Sequence, residues 1–165
     1  MINTGIIRKI DDLGRIVLPK ELRKNLNINS GDDLQIIIDN EKIILEKYSK
    51  LENYEDSLLE IIKCFSDVNN YKIFITVNDK IINYNKENVT NIISNIILSR
   101  KIYINDKNEL NIIGETLKEK GKIIIFPIVL ESDLLGSIII VGNDDILNLE
   151  KTVKILFNIV KKILK

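Results

Sequence analysis

Three of the four arginines in this chain, Arg8, Arg15 and Arg23, fall within its first 24 residues, although lysine outnumbers arginine twenty to four overall. A guanidinium is a planar fork of N–H donors that fits a phosphate or a guanine edge, whereas a lysine ammonium is a flexible point charge. A lysine-rich chain that keeps arginine in one place therefore points to directional recognition there. Lys9, Lys20 and Lys24 bring the segment to six basic groups against Asp11, Asp12 and Glu21, a balance of +3. Residues 25–50 carry three basic groups against Asp32, Asp33, Asp39, Glu41 and Glu46, a balance of −2. The formal net charge of the whole chain is zero, but attraction to a polyanion follows the local field. Arg8, Lys9, Arg15, Lys20, Arg23 and Lys24 are thus the candidate contacts to double-stranded DNA. The plainer alternative is that the arginines pair with Asp11, Asp12 or Glu21.

Other chemistry is sparse. The 165 residues contain no histidine, which removes the commonest general base and transition-metal ligand, and a single cysteine, Cys64. Cys64 sits on a helical apolar pattern and reads as core filler; one thiol without soft partners is a poor metal site. Asp11-Asp12, Asp32-Asp33 and Asp144-Asp145 fall at turns, where Asp commonly bonds local backbone. Gly114, Gly121, Gly136 and Gly142 have no phosphate-loop spacing. Tyr71, Tyr84 and Tyr103 lie in β-rich runs and read as packing rather than as a ligand pocket. These absences argue against an enzyme, a small-molecule hydrolase included, and no cofactor or metal is expected. There is no basic leader before an apolar core, and no apolar run approaches the roughly 18 residues that span a bilayer. A cytoplasmic protein without membrane contact is expected.

The elements that must position the basic groups begin with β-branched runs at residues 5–10 and 15–18, separated by Asp11-Asp12-Leu13-Gly14, where Gly14 can supply a positive φ. This reads as strand, turn, strand. Pro19 to Leu26 follows as a two-turn helix, with Leu22 and Leu26 spaced by four, and Asn29-Ser30-Gly31-Asp32 stops it. Leu34 to Ile38 and Lys42 to Lys47 form a second hairpin around Asp39-Asn40-Glu41. Fifty residues without a disulfide or metal are near the lower limit for an independent core. Interleaving two copies into one closed barrel would supply a core and cover the strand edges.

The period then changes. Leu51, Tyr54, Leu58, Ile61, Phe65 and Val68 alternate at three and four, a helix with a coiled-coil seam. Beyond an interruption at Asn69-Asn70, strands are expected at 72–77 and 80–85, then a helix at 87–98 with Ile92, Ile93, Ile96 and Ile97 on one broad face, and a short strand at 101–104. The polar stretch 105–121 suggests a short helix at 114–120. Residues 123–130 and 134–141 read as an antiparallel pair around Glu131-Ser132-Asp133, with Pro127 at an edge or bulge. A final helix over 145–164 carries a second seam, Ile146, Leu149, Val153, Leu156, Val160 and Ile163, with Ile155 and Ile159 off it. One stripe of the final helix can then pack on its own sheet while another meets a second copy, giving a homodimer or homotetramer; the plainer alternative is one wide buried face inside a monomeric domain. The fold class is α+β: residues 1–50 as a DNA-binding domain, 51–68 as a linker helix and 69–165 as a regulatory or oligomerisation domain.

The run Thr4-Gly5-Ile6-Ile7-Arg8-Lys9-Ile10-Asp11-Asp12-Leu13-Gly14-Arg15-Ile16-Val17-Leu18-Pro19-Lys20-Glu21-Leu22-Arg23, with Ile43-Ile44-Leu45-Glu46-Lys47-Tyr48, resembles the swapped-hairpin DNA-binding domain of the AbrB transition-state regulators. The likeness spans nearly all of residues 1–50. It implies an intertwined dimer with Arg8, Lys9, Arg15, Arg23 and Lys24 at DNA-facing positions; Lys24 stands where the family often has Arg and keeps the charge without the fork. The longer chain resembles the sporulation branch of that family, in which a helix joins the domain to a GAF domain. A GAF-like half sensing an apolar or small ligand, or none, is then expected, and no chromophore attachment site or cyclic-nucleotide signature stands in it. Related swapped-hairpin domains also occur in antitoxins, which is the alternative function. Antitoxins usually end in a short disordered tail, whereas the second half here has the pattern of a folded domain.

Overall fold

A computed structural model describes residues 4–69, 71–106, 109–114, 116–143 and 145–164. The chain divides into two units, residues 1–47 and 48–165.

In the first unit, Pro19 occupies the N-cap of helix α1 (Lys20–Asn25). Asn27 ends it by turning left-handed (φ 50°), so that the Ile28 N–H reaches back to the Arg23 carbonyl at 2.7 Å. Strands β1 (Leu34–Asp39) and β2 (Lys42–Lys47) pair antiparallel with Asp39 opposite Lys42. The two-residue connection places Asn40 at φ 53°, a conformation asparagine tolerates. Asp32 ties the preceding loop down: its Oδ2 accepts the Asn29 N–H at 2.7 Å and the Lys47 ammonium at 3.0 Å.

Residues 5–10 and 15–18 depart from the expectation of paired strands. They run without a ladder, joined by the Asp11 N–H to Arg15 carbonyl bond at 3.1 Å and the Gly14 N–H to Asp11 carbonyl bond at 2.9 Å. Gly14 does take the positive φ expected of it, 76°. A strand is defined by its neighbour, and β-branched residues favour extended chain without supplying that neighbour.

The second unit is built on an antiparallel five-stranded sheet ordered β4-β3-β9-β8-β5, from β3 (Lys72–Val77), β4 (Lys80–Ile81), β5 (Tyr103–Asn105), β8 (Lys122–Leu130) and β9 (Asp133–Gly142). Alternation along its strands makes two cores. Ile73, Ile75, Ile124, Ile138 and Ile140 pack with residues of helix α2 (Glu55–Asn69) and helix α4 (Ile146–Ile163). Phe74, Ile123, Ile125, Ile139 and Val141 pack on the opposite face with helix α3 (Asn91–Leu98) and the hairpin of β6 (Leu110–Ile113) and β7 (Leu117–Glu119). The layers are helix, sheet, and helix with hairpin, a mixed α/β arrangement.

Several elements differ from expectation for local reasons. Residues 50–54 form a 3-10 turn, so helix α2 begins only at Glu55. The Ser49 hydroxyl both accepts the Leu51 N–H and donates to the Leu135 carbonyl, anchoring that turn to β9. Strand β4 stops at Ile81 because the Asn83 amide takes over the pairing, accepting from the Ile75 N–H at 3.2 Å and donating to the Ile73 carbonyl at 2.7 Å. Left-handed Asn85 and Lys86 then reverse the chain, and helix α3 starts late, capped by the Thr90 hydroxyl. Of its four isoleucines Ile93 and Ile97 are buried, whereas Ile92 is exposed. Strand β7 stands where a helix over 114–120 was expected, with Gly114 (φ 44°) at the turn that folds β7 back on β6. Pro127 lies in an interior strand, yet the pairing of β5 with β8 ends at Ile125 and a bulge follows at Ile128/Val129, so the missing N–H falls in the tolerated setting. Asn70 and Asp144, expected at an interruption and a turn, lie outside the described residues; Asp145 is the N-cap of helix α4.

Candidate nucleic-acid interface

The six basic candidates are carried by two short devices. The first is the turn between residues 11 and 15. Asp11 Oδ1 accepts the backbone N–H groups of Leu13 at 3.0 Å and Arg15 at 2.8 Å, and Oδ2 accepts Arg15 Nε–H at 2.8 Å. These bonds, the Arg15 backbone N–H foremost and then its guanidinium, hold the Asp11 carboxyl below the ordinary carboxylate pKa of 3.8. Arg8 and Lys9 lie exposed on the chain entering this turn, with Arg8 Nη1 donating to the Ile7 carbonyl at 2.9 Å. Pairing of an arginine with Asp11, the plainer alternative, is therefore realised for Arg15, whose side chain nonetheless remains 70% exposed.

The second device is helix α1. Lys20 in its first turn and Arg23 and Lys24 in its last are spaced three and four, which puts them on one face. Lys20 and Lys24 are exposed, while Arg23 is half-buried with Nε donating to the Leu18 carbonyl at 3.2 Å. Arg15 and Arg23 are thus both held through Nε, a contact that uses one of the five N–H donors of each guanidinium.

Around these groups the described part of the first unit contains no buried residue. Ten of the sixteen large apolar side chains that stay exposed among the described residues belong to it: Ile7, Ile10, Leu13, Ile16, Val17, Leu26, Ile36, Ile38, Ile43 and Leu45. Ile36 pairs with Leu45 and Ile38 with Ile43, so these four form one uncovered apolar face of the β1–β2 hairpin.

The candidate interface residues of the second unit fall otherwise. Leu51, Leu58, Leu149, Val153, Leu156 and Val160 are at most 1% exposed and enclosed by their own sheet. A three-four repeat marks a buried stripe, and within one copy that stripe is covered by the chain's own strands. Tyr54, Ile61, Phe65 and Ile163 are half-buried beside it, and Val68 is exposed. Residues 51–68 accordingly pack within the second unit rather than standing apart. Cys64, read as core filler, is exposed on helix α2. Tyr71 packs on one face of the sheet and Tyr84 and Tyr103 on the other, so the three do not converge.

Comparison with known proteins agrees with both halves. A family model described as "Stage V sporulation protein T C-terminal, transcription factor" matches residues 45–165, and one described as "Antidote-toxin recognition MazE, bacterial antitoxin" matches residues 7–53. The chain belongs to this stage V sporulation protein T family of transcription factors. It is 28% identical over 151 residues to stage V sporulation protein T of Bacillus subtilis (strain 168), covering 86% of this chain and 85% of that protein. Over 48 residues it is 58% identical to the transition state regulatory protein AbrB of the same organism, covering 29% of this chain and only 50% of that protein. The solution structure of the N-domain of the transcription factor AbrB matches at 58% identity over 29% of this chain and 92% of that one, with a TM-score of 0.28. Among the described residues no helix is long and apolar enough to cross a membrane.

Proposed function

We propose that this protein is a sequence-specific DNA-binding transcription regulator, in which two copies of residues 1–50 interleave into a swapped-hairpin dimer and control sporulation-stage genes. The observation that carries this reading is the pairing of exposed Arg8, Lys9, Arg15, Lys20 and Lys24, and half-buried Arg23, with a first unit whose apolar side chains lack cover. Such a unit needs a partner to close its core, and a second copy supplies one while doubling the basic set. Phosphate contacts then set affinity and register, and arginine contacts with DNA deformability set sequence preference. The second unit, read as GAF-like, serves assembly or the sensing of an apolar or small ligand; its helix layer against one sheet face supports that reading. Thermal shift of the full chain against a metabolite panel tests it.

The decisive experiment is a gel-shift titration with the full chain at several salt concentrations, beside sedimentation of the free protein. A dimer that prefers a duplex selected from a randomised library over its scrambled counterpart supports the proposal, and a monomer indifferent to sequence refutes it. The antitoxin match over residues 7–53 favours a second reading, autoregulation by an antitoxin. Purification from the native host with a stoichiometric small protein partner would establish that reading instead.

A further inference from the structure

The Asp11 carboxylate is held independently of the Arg15 side chain. Two backbone N–H groups, those of Leu13 and Arg15, hold Oδ1, so Oδ2 is a stationary acceptor for Nε. A guanidinium carries five N–H donors, and a contact through Nε leaves four on the two terminal nitrogens, arranged as a fork. The pair has little value as a stabilising contact, because both groups are well exposed, at 70% and 42%. Its effect on a ligand is larger. An arginine loses side-chain entropy when it is immobilised, and a residue already held at Nε loses less. Asp11 also sets a negative charge beside the guanidinium. That charge opposes attraction to a phosphate, which acts through the net field, more than it opposes two hydrogen bonds to the neutral edge of a base. Lys9, Lys20 and Lys24 have no such restraint among the described contacts and are placed to supply the sequence-independent attraction.

We propose that Asp11 is a positioning residue for DNA reading: by anchoring Arg15 through Nε it aims the terminal fork outward and offsets its charge, so that Arg15 discriminates sequence instead of adding bulk phosphate affinity. This rests on the DNA-binding reading above. Asp11→Asn is the informative substitution, since its amide oxygen can still accept the two backbone N–H groups. Asp12→Asn makes the same charge change at the neighbouring exposed residue.

Dissociation constants of the full chain would be measured across a salt series for a duplex selected from a randomised library by the wild-type protein, and for its scrambled counterpart. Asp12→Asn should tighten both duplexes alike. Asp11→Asn should tighten the scrambled duplex several-fold, steepen the salt dependence, and lower the ratio of selected to scrambled affinity about tenfold. In an Arg15→Ala background, Asp11→Asn should leave that ratio unchanged. The proposal is overturned if Asp11→Asn shifts both duplexes equally, or if its loss of ratio persists without Arg15, which would mark a collapsed turn. A wild-type protein that shows no preference between the duplexes removes the DNA-binding reading itself, and this proposal with it. A preference that survives Asp11→Asn removes the positioning role alone.

Discussion

Arg23 and Lys24 are neighbours on helix α1 with different surroundings, and their roles should separate accordingly. Arg23 is half-buried and held at the Leu18 carbonyl, whereas Lys24 is exposed. Arg23→Ala is expected to weaken binding to a selected duplex by about 1–3 kcal/mol and to relax its sequence preference. Lys24→Ala should weaken selected and random DNA equally and reduce the salt slope by about one. Gel-shift titrations of both variants on both duplexes distinguish these patterns, and equal losses for Arg23→Ala would place it among the phosphate contacts. Asp11 makes a prediction of its own. Its folded pKa lies below 3.8, so its hold on the turn is complete above the ordinary carboxylate range and is lost as the pH falls through the lowered value. Carboxyl-carbon NMR should show Asp11 titrating lower than an ordinary aspartate. Arg15→Ala should raise that pKa only part of the way, since the residue 15 backbone N–H remains a donor. A complete return to the ordinary value would mean that the guanidinium alone is responsible.

Elements of the second unit are fixed by close approaches between strands and by the buried stripe of helix α4. A Cβ added to Gly136 would stand 1.9 Å from the Thr76 carbonyl oxygen, and Gly136 pairs with Val77 across the β3–β9 ladder. Gly136→Ala must therefore push these strands apart, next to the buried Thr76–Ser137 hydroxyl pair at 3.0 Å. It should cost at least about 1–3 kcal/mol in denaturant unfolding. Leu156 is fully buried in helix α4, where Phe157 also meets Phe126 of β8 at a ring separation of 5.1 Å. Leu156→Ala should cost about 2–5 kcal/mol, and Leu156→Glu should unfold the second unit rather than merely dissociate it. Circular dichroism tests this directly: a Leu156→Glu chain that keeps full helix content would return the residue to an exposed seam.

At the scale of the whole molecule the two units differ in how they are stabilised. The second has an enclosed core on each face of its sheet, whereas the first, by itself, has none among its described residues. If residues 1–50 close their core by pairing, the stability of that part is linked to protein concentration by mass action. Calorimetry of the full chain should then show a first-unit transition that rises with concentration and a second-unit transition that does not. A first transition independent of concentration would mean that one copy is sufficient to fold the unit.

Sequence by itself determined the features that depend on near neighbours along the chain. Gly14 as a left-handed turn residue, Pro19 before a two-turn helix, the hairpin around Asn40, and the β8–β9 pair with its proline irregularity were all legible, because each follows from a residue's own backbone preference or a short period. Concentration of arginine near the N-terminus was likewise visible as a charge pattern. Tertiary structure decided what those patterns are used for. The repeat from Leu149 to Val160 has the same spacing whether it meets a partner helix or its own sheet, and only the packing showed the latter. Residues 5–10 and 15–18 have strand composition but no ladder, because a strand needs a neighbour that composition cannot name. Asp11 was readable as a turn residue, and its second oxygen was not readable as the anchor of Arg15. That contact depends on where the turn carries residue 15, which is a property of backbone geometry and not of the order of residues.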